Sequence, residues 1–189
     1  MPDVTILELW LPILLAAAAV FAVSSVIHVA SPLHKADYKA LPEEERLLAA
    51  MREAGVKPGG YALPYANSMK QLSDPEFIAR QDLGPVAFMQ VLPDGPVQMG
   101  RSLVVWFLYS TLLATFAGYL GTLCLPRGAP YHEVFRIIGT VALLGFATAP
   151  IQDSIWRGVR WRVTARFVFD GVLYGLVTAG VFSAMWPGA

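Results

Sequence analysis

The sequence predicts an all-α membrane protein, built as a bundle of four transmembrane helices. Hydrophobic residues make up 56 % of the 189-residue chain and charged residues only 15 %, whereas soluble domains carry roughly 25 % charged residues. The chain contains four apolar runs, each close to the length of about 20 residues that a helix needs to cross a bilayer. All five tryptophans lie near the ends of these runs, at the depth that amphipathic rings prefer.

The four runs are expected to be helical because backbone groups inside lipid must be paired within their own segment. They cover residues 9–27, 103–125, 134–151 and 163–186. The first run has no Lys or Arg before it, although a secretory signal peptide has a basic start, so we expect it to be retained as helix 1. The expected organisation is helix 1 within residues 1–30, a connecting segment at 31–98, and helices 2–4 within 99–189.

The connecting segment is too long for a plain loop, and it is predicted to hold two short helices and a small hairpin. One helix is bounded by Pro42 and Gly55, the other by Asp74 and Gly84, because proline favours a first helical turn and glycine ends a helix. Residues 86–92 alternate loosely and precede a Pro-Asp-Gly turn signal. A lone hairpin is marginally stable in water, so this one is expected to rest on other structure.

Positive charge is distributed unevenly over the two sides of the predicted bundle. The connecting segment and the loop between helices 3 and 4 share one side, which carries 12 of the 14 Lys and Arg residues, while Arg127 and Arg136 lie on the other side. Cytoplasmic loops are enriched in Lys and Arg. The connecting segment is therefore expected to be cytoplasmic, with both termini outside the cytoplasm.

Helix 4 carries two charges inside its apolar run, Arg166 and Asp170. A carboxylate at the bilayer centre costs about 2.5–3.5 kcal/mol on insertion scales, so Asp170 is expected to face the bundle. Arg166 and Asp153, the latter at the inner end of helix 3, are its expected partners in an intramembrane polar cluster. A structural clamp between helices 3 and 4 is favoured over a proton or substrate site.

Two further features of the spans are interpreted as structural. Glu133 and Arg136 are three residues apart near the outer end of helix 3 and are expected to form an outer polar pair. Gly171, Gly175 and Ala179 form a stripe of small residues on helix 4. Such spacing lets helix backbones approach closely, either within the chain or between two copies.

The sequence offers few residues for binding or catalysis. His28, His34 and Asp37 surround the inner end of helix 1 and are weak candidates for a metal site, because their spacing matches no familiar zinc pattern. No cofactor is expected. A net charge of zero argues against a nucleic-acid partner. Membrane lipid and a second copy or a larger membrane complex are the expected partners.

Several short segments are distinctive when taken together. They are His34-Lys35-Ala36-Asp37-Tyr38, Leu41-Pro42-Glu43, Lys57-Pro58-Gly59-Gly60-Tyr61, Val134-Phe135-Arg136-Ile137-Ile138-Gly139-Thr140, Ser154-Ile155-Trp156-Arg157-Gly158, Asp170-Gly171 and Val177-Thr178-Ala179-Gly180. This set resembles a group of bacterial four-span membrane proteins to which no activity is attached. The resemblance covers most of residues 28–187 and implies a bacterial inner membrane.

Three hypotheses for function follow from these features. The favoured one is a non-catalytic assembly or accessory component of the membrane, supported by the small-residue stripe and the connecting segment. The second is a subunit of a small transporter or channel that uses the polar cluster of helix 4. The third is a membrane enzyme at the inner interface, with the two histidines and Asp37 in its site.

Overall fold

A computed structural model describes residues 3–188. The chain forms two compact units, one from residues 3–38 and 98–188 and the other from Lys39–Val97. In chain order the elements are α1 (Trp10–Ser25), α2 (Glu44–Glu53), β1 (Gly59–Leu63), α3 (Pro75–Leu83), β2 (Ala87–Val91), α4 (Met99–Cys124), α5 (Tyr131–Ala147), α6 (Ala149–Arg157) and α7 (Trp161–Ala184). The protein is mostly helical, which confirms the predicted all-α class.

Four helical stretches of the first unit are long and apolar enough to cross a membrane. They are Ile6–Ala30, Met99–Cys124, Tyr131–Arg157 and Trp161–Ala184. The first adds a 3-10 turn before α1 and a π-helical turn, Val26–Ala30, after it. The third consists of α5 and α6, which are interrupted at Thr148, just before the Pro150 that occupies the first turn of α6. These four stretches support a multi-pass membrane protein, as the hydropathy of the sequence predicts.

The small-residue stripe of α7 packs against α5 within the chain. A Cβ atom added at Gly171 would lie 2.5 Å from the Cα of Ala147, and one at Gly175 would lie 3.1 Å from the Cα of Leu143. Farther along, a Cβ at Gly139 of α5 would lie 3.1 Å from the Cβ of Ala179. The two backbones therefore approach as closely as glycine allows, which is how small residues join helices in lipid.

The first unit has two buried apolar clusters and an apolar exterior. One cluster includes Leu9, Ile138 and Phe182, and the other includes Val20 and Tyr174. Large exposed hydrophobic side chains cover the outward helix faces, among them Leu14, Val105, Leu108, Leu112, Phe116, Leu144 and Leu176. A surface of this kind suits lipid rather than water.

The second unit contains the two predicted short helices. Helix α2 begins at Glu44, after Glu43 adopts a left-handed conformation with φ 50°, and Gly55 follows it with φ 67°. Helix α3 begins at Pro75, and the Asp74 side chain accepts a hydrogen bond of 2.9 Å from the Glu76 amide. This cap satisfies a backbone donor that has no partner within the helix.

The strand predicted near residues 86–92 is present as β2, but its partner differs from the expected local hairpin. It pairs antiparallel with β1, so that Gly59 lies opposite Val91 and Leu63 opposite Ala87. Helix α3 falls between the two strands in the chain. The Pro-Asp-Gly turn after β2 therefore lies at the end of the paired strand and does not connect two strands of a hairpin.

Candidate metal centre

Five polar side chains of the first unit meet at one end of the bundle, and we call this group the histidine–aspartate centre: His28, His34, Asp37, Arg166 and Asp170. His28 lies in the π-helical turn that ends the first span, and His34 and Asp37 follow it in non-helical chain. Arg166 and Asp170 lie one turn apart on α7.

The π-helical turn determines where His28 lies. The Ser31 amide donates to the Val26 carbonyl, five residues back, at 3.1 Å, so the turn holds one residue more than an α-helical turn. The imidazole of His28 stacks on that of His34, with ring centroids 4.4 Å apart. Turns of this type are frequent at functional sites.

The carboxylate of Asp170 lies against both imidazoles. Its Oδ2 is 2.8 Å from Nε2 of His34 and 3.7 Å from Nε2 of His28. Asp170 is only 2 % exposed, so its charge is largely removed from solvent. One nitrogen from each histidine and one oxygen of Asp170 all lie within 4.8 Å of one another.

The tautomer of His34 makes its contact with Asp170 unusual. Nδ1 of His34 is 2.6 Å from Oδ2 of Asp37, and because an ionised carboxylate only accepts, Nδ1 carries the hydrogen. Nε2 of a neutral His34 would then be an acceptor 2.8 Å from a carboxylate oxygen, whereas a doubly protonated His34 would be a cation between two carboxylates. Neither Nε2 of His34 nor either oxygen of Asp170 has a hydrogen-bond partner among the described residues. Two acceptors at this distance repel unless a cation or a proton lies between them.

Asp37 supports His34 from the side opposite Asp170. Besides accepting from His34, its carboxylate pairs with the guanidinium of Arg166. Burial raises the pKa of the Asp37 carboxyl, but the hydrogen bonds from His34 and Arg166 outweigh it and hold that pKa below its ordinary value. Asp37 is therefore an ionised acceptor that orients His34, the arrangement found around histidines that bind metals.

The two distances from Asp170 to the histidines are close to those between ligands of one small divalent cation. Bonds of about 2.0–2.2 Å to nitrogen and oxygen place neighbouring ligand atoms about 3 to 3.5 Å apart, and the observed 2.8 and 3.7 Å lie on either side of that range. Two imidazole nitrogens and one carboxylate oxygen form a donor set typical of Zn²⁺ or Fe²⁺.

The polar cluster predicted from the sequence is distributed differently in the structure. Asp170 faces the bundle, but Arg166 pairs with Asp37 rather than with Asp170. Asp153 is half-exposed and lies 3.3 Å from Arg157 on its own helix. The centre thus joins the first span to α7, whereas the sequence predicts a clamp between helices 3 and 4.

The structure also shows the positions of the predicted outer pair and of the predicted metal candidates. Glu133 and Arg136 are both exposed on α5, and no ion pair joins them within the described chain. His28, His34 and Asp37, read from the sequence as weak candidates, lie together with Asp170. The spacing of these three residues in the sequence does not indicate this cluster, because its fourth member, Asp170, comes from the last helix of the chain.

A cavity of about 560 Å³ opens beside the centre, lined by His28 and Asp170 and by side chains of α1, α4, α5 and α7. Tyr174, one turn after Asp170 on α7, contributes a buried hydroxyl with no hydrogen-bond partner among the described residues. The nearby Ser24 hydroxyl accepts from Trp106 and donates to the Phe21 carbonyl, which leaves it one further lone pair. Sequence reasoning did not single out Tyr174, because an isolated tyrosine in an apolar run carries no signal.

Comparisons with protein-family models, with curated proteins and with solved structures found no match to this chain.

Proposed function

We propose that the chain is a multi-pass protein of the bacterial inner membrane that binds one divalent transition-metal ion through His28, His34 and Asp170. The supporting observation is the 2.8 Å approach of Nε2 of His34 to Oδ2 of Asp170, in a buried setting without a hydrogen bond between them. A cation bound between a neutral imidazole and this carboxylate would be coordinated by both.

The number of ligands indicates the kind of metal site. Structural zinc sites are closed by four protein ligands, whereas catalytic sites keep three and leave a position open. The centre offers three ligands beside a cavity. A metal held here would have room for water or for a ligand from the cavity.

Two observations weigh against the other functional hypotheses. The small-residue stripe is used between α7 and α5 of one chain, so it supplies no argument for a second copy. Asp153 is paired with Arg157 outside the centre, so a transport path that runs through Asp153, Arg166 and Asp170 loses one of its members. An accessory role is compatible with metal binding and stays a prediction.

We expect the detergent-purified protein to bind one Zn²⁺ per chain after chelation and reloading, and Asp170→Asn to remove most of this binding, because the carboxylate is the one anionic ligand of the proposed set. Elemental analysis by mass spectrometry gives the stoichiometry, and competition with a chelating dye gives the affinity. Asp153→Asn is the matched control, since it changes a carboxylate of the same bundle outside the centre, and it should bind zinc as the unaltered protein does.

A protein that elutes as a folded species but takes up no Zn²⁺ or Fe²⁺ would overturn the proposal. His34 would then carry a second proton and bridge Asp37 and Asp170 as a purely structural cation. Equal zinc loss in Asp170→Asn and Asp153→Asn would also count against the site.

The orientation is proposed from the Lys and Arg distribution, which assigns residues 31–98 to the cytoplasm and both termini to the outside. The single cysteine provides the test, because Cys124 is exposed at the last residue of α4. A membrane-impermeant maleimide is expected to label Cys124 in intact cells. In a Cys124→Ser background, Ser73→Cys in the second unit should react only after the cells are opened, and the reverse pattern would invert the topology.

A further inference from the structure

We infer that the cavity beside the histidine–aspartate centre binds a lipid-like molecule whose polar end has an oxygen that accepts a hydrogen bond. The inference deepens the proposed function, on which it rests for the polar end of the site. It starts from the cavity of about 560 Å³, a size within the usual range for small-molecule sites.

The cavity wall is mostly apolar and aromatic. Side chains of Leu103, Trp106, Phe146 and Phe167 line it, together with Met99 and Val29. It lies among four helices whose outer faces are hydrophobic. A ligand with a hydrocarbon body therefore gains by leaving water, and it can arrive from the lipid phase.

Two buried polar groups that line the cavity lie one turn apart on α7. Asp170 is 2 % and Tyr174 4 % exposed, and neither side chain has a hydrogen-bond partner within the described chain. An unmade hydrogen bond on a buried group is costly. A ligand oxygen that accepts from the Tyr174 hydroxyl would satisfy it.

With Asp37 and Asp170 ionised, Arg166 protonated and both histidines neutral, the metal-free centre carries one net negative charge, and a bound divalent cation changes this to one net positive charge. The charge of the centre therefore does not decide the charge of the head group. The Tyr174 hydroxyl requires only a ligand oxygen that accepts a hydrogen bond.

The test is photo-crosslinking with a long-chain fatty alcohol that carries a diazirine in its chain, added to zinc-loaded protein in detergent. We expect labelled peptides to map to the cavity segments of α4 and α5. An excess of unlabelled fatty alcohol should compete, whereas an alkane of equal length should compete about tenfold less well, the effect of one lost hydrogen bond.

Two tyrosines give a matched pair of variants. Tyr174→Phe removes the unpartnered hydroxyl, so cavity labelling should fall about fivefold to tenfold. Tyr109 also lines the cavity, but its hydroxyl already donates to the Gly145 carbonyl at 3.2 Å, so Tyr109→Phe should keep labelling within about twofold of the unaltered protein. Ser102→Trp, which places a large ring in the lining, should block labelling.

Zinc content is measured on the same samples, so the two proposals can fail separately. Zinc binding without cavity labels, or labels spread over all lipid-facing helix surfaces, would overturn the ligand inference and leave the metal site standing. Cavity labels that compete as expected in a protein that takes up no metal would support the ligand and refute the metal. Equal competition by alkane and alcohol would show that Tyr174 recognises no head group, which also overturns the inference.

Discussion

Gly171→Ala is expected to destabilise the bundle by about 1–3 kcal/mol, the cost of an overpacked contact, and to lower its thermal unfolding temperature. The added Cβ would lie 2.5 Å from the Cα and 2.7 Å from the amide nitrogen of Ala147. Both are backbone atoms, so no side-chain rotation relieves the clash and α5 must move away from α7. Circular dichroism during heating in detergent measures the change.

Gly180→Ala is the matched control on the same helix. A Cβ at Gly180 would meet only the Tyr131 hydroxyl, at 3.9 Å, and alanine favours the helical state over glycine. The unfolding temperature of this variant should be unchanged or slightly higher. If both variants unfold at the temperature of the unaltered protein, then α5 and α7 do not pack as closely as described here.

Asp37→Asn is expected to weaken zinc binding by about 10-fold to 100-fold, the usual effect of losing a carboxylate that orients a histidine ligand. The amide oxygen accepts the Nδ1 hydrogen more weakly than a carboxylate does, so His34 becomes a poorer donor and its ring is less well held. Arg166 also loses its carboxylate partner, and because its side chain is 24 % exposed, the loss of stability should be smaller than for a fully buried pair. Affinity is read by dye competition and stability by thermal unfolding.

The comparison between Asp37→Asn and Asp170→Asn separates orientation from coordination. Asp37→Asn should still reach one zinc per chain at high metal concentration, whereas Asp170→Asn should not, because it lacks a ligand. The half-exposed Asp153 again supplies the control through Asp153→Asn. Identical behaviour of the Asp37 and Asp170 variants would mean that both carboxylates act in the same way, and Asp37 would have no separate orienting role.

The four long helices could be predicted from the sequence because a bilayer imposes length and apolarity on each segment independently. Such a requirement is local, so each run can be recognised without its neighbours. The interruption at Thr148 within the third span has a local signal in Pro150. The pairing of β1 with β2 has no local sequence signal, because it depends on how the segment that contains α3 brings the two strands together.

The need of Asp170 for a polar environment also follows from the sequence, since an isolated carboxylate in lipid is costly. The identity of its neighbours does not follow. Arg166 is the obvious candidate by helical spacing, yet it reaches Asp37, and Asp170 meets histidines from residues 28 and 34 instead. Contacts between residues 129 or more positions apart depend on tertiary packing and leave no periodic pattern in the sequence.

The π-helical turn at Val26–Ala30 makes the centre sensitive to the length of the chain rather than to its composition. Deleting Ile27 would restore the α-helical register and move His28 back by one helix position, about 100° around the helix axis. His28 would then swing away from the ring of His34, on which it now stacks at 4.4 Å. The hydropathy of the span would hardly change, but the metal-binding donor set would be lost. A one-residue gap in this turn therefore distinguishes proteins that only share the membrane topology from proteins that also retain the centre.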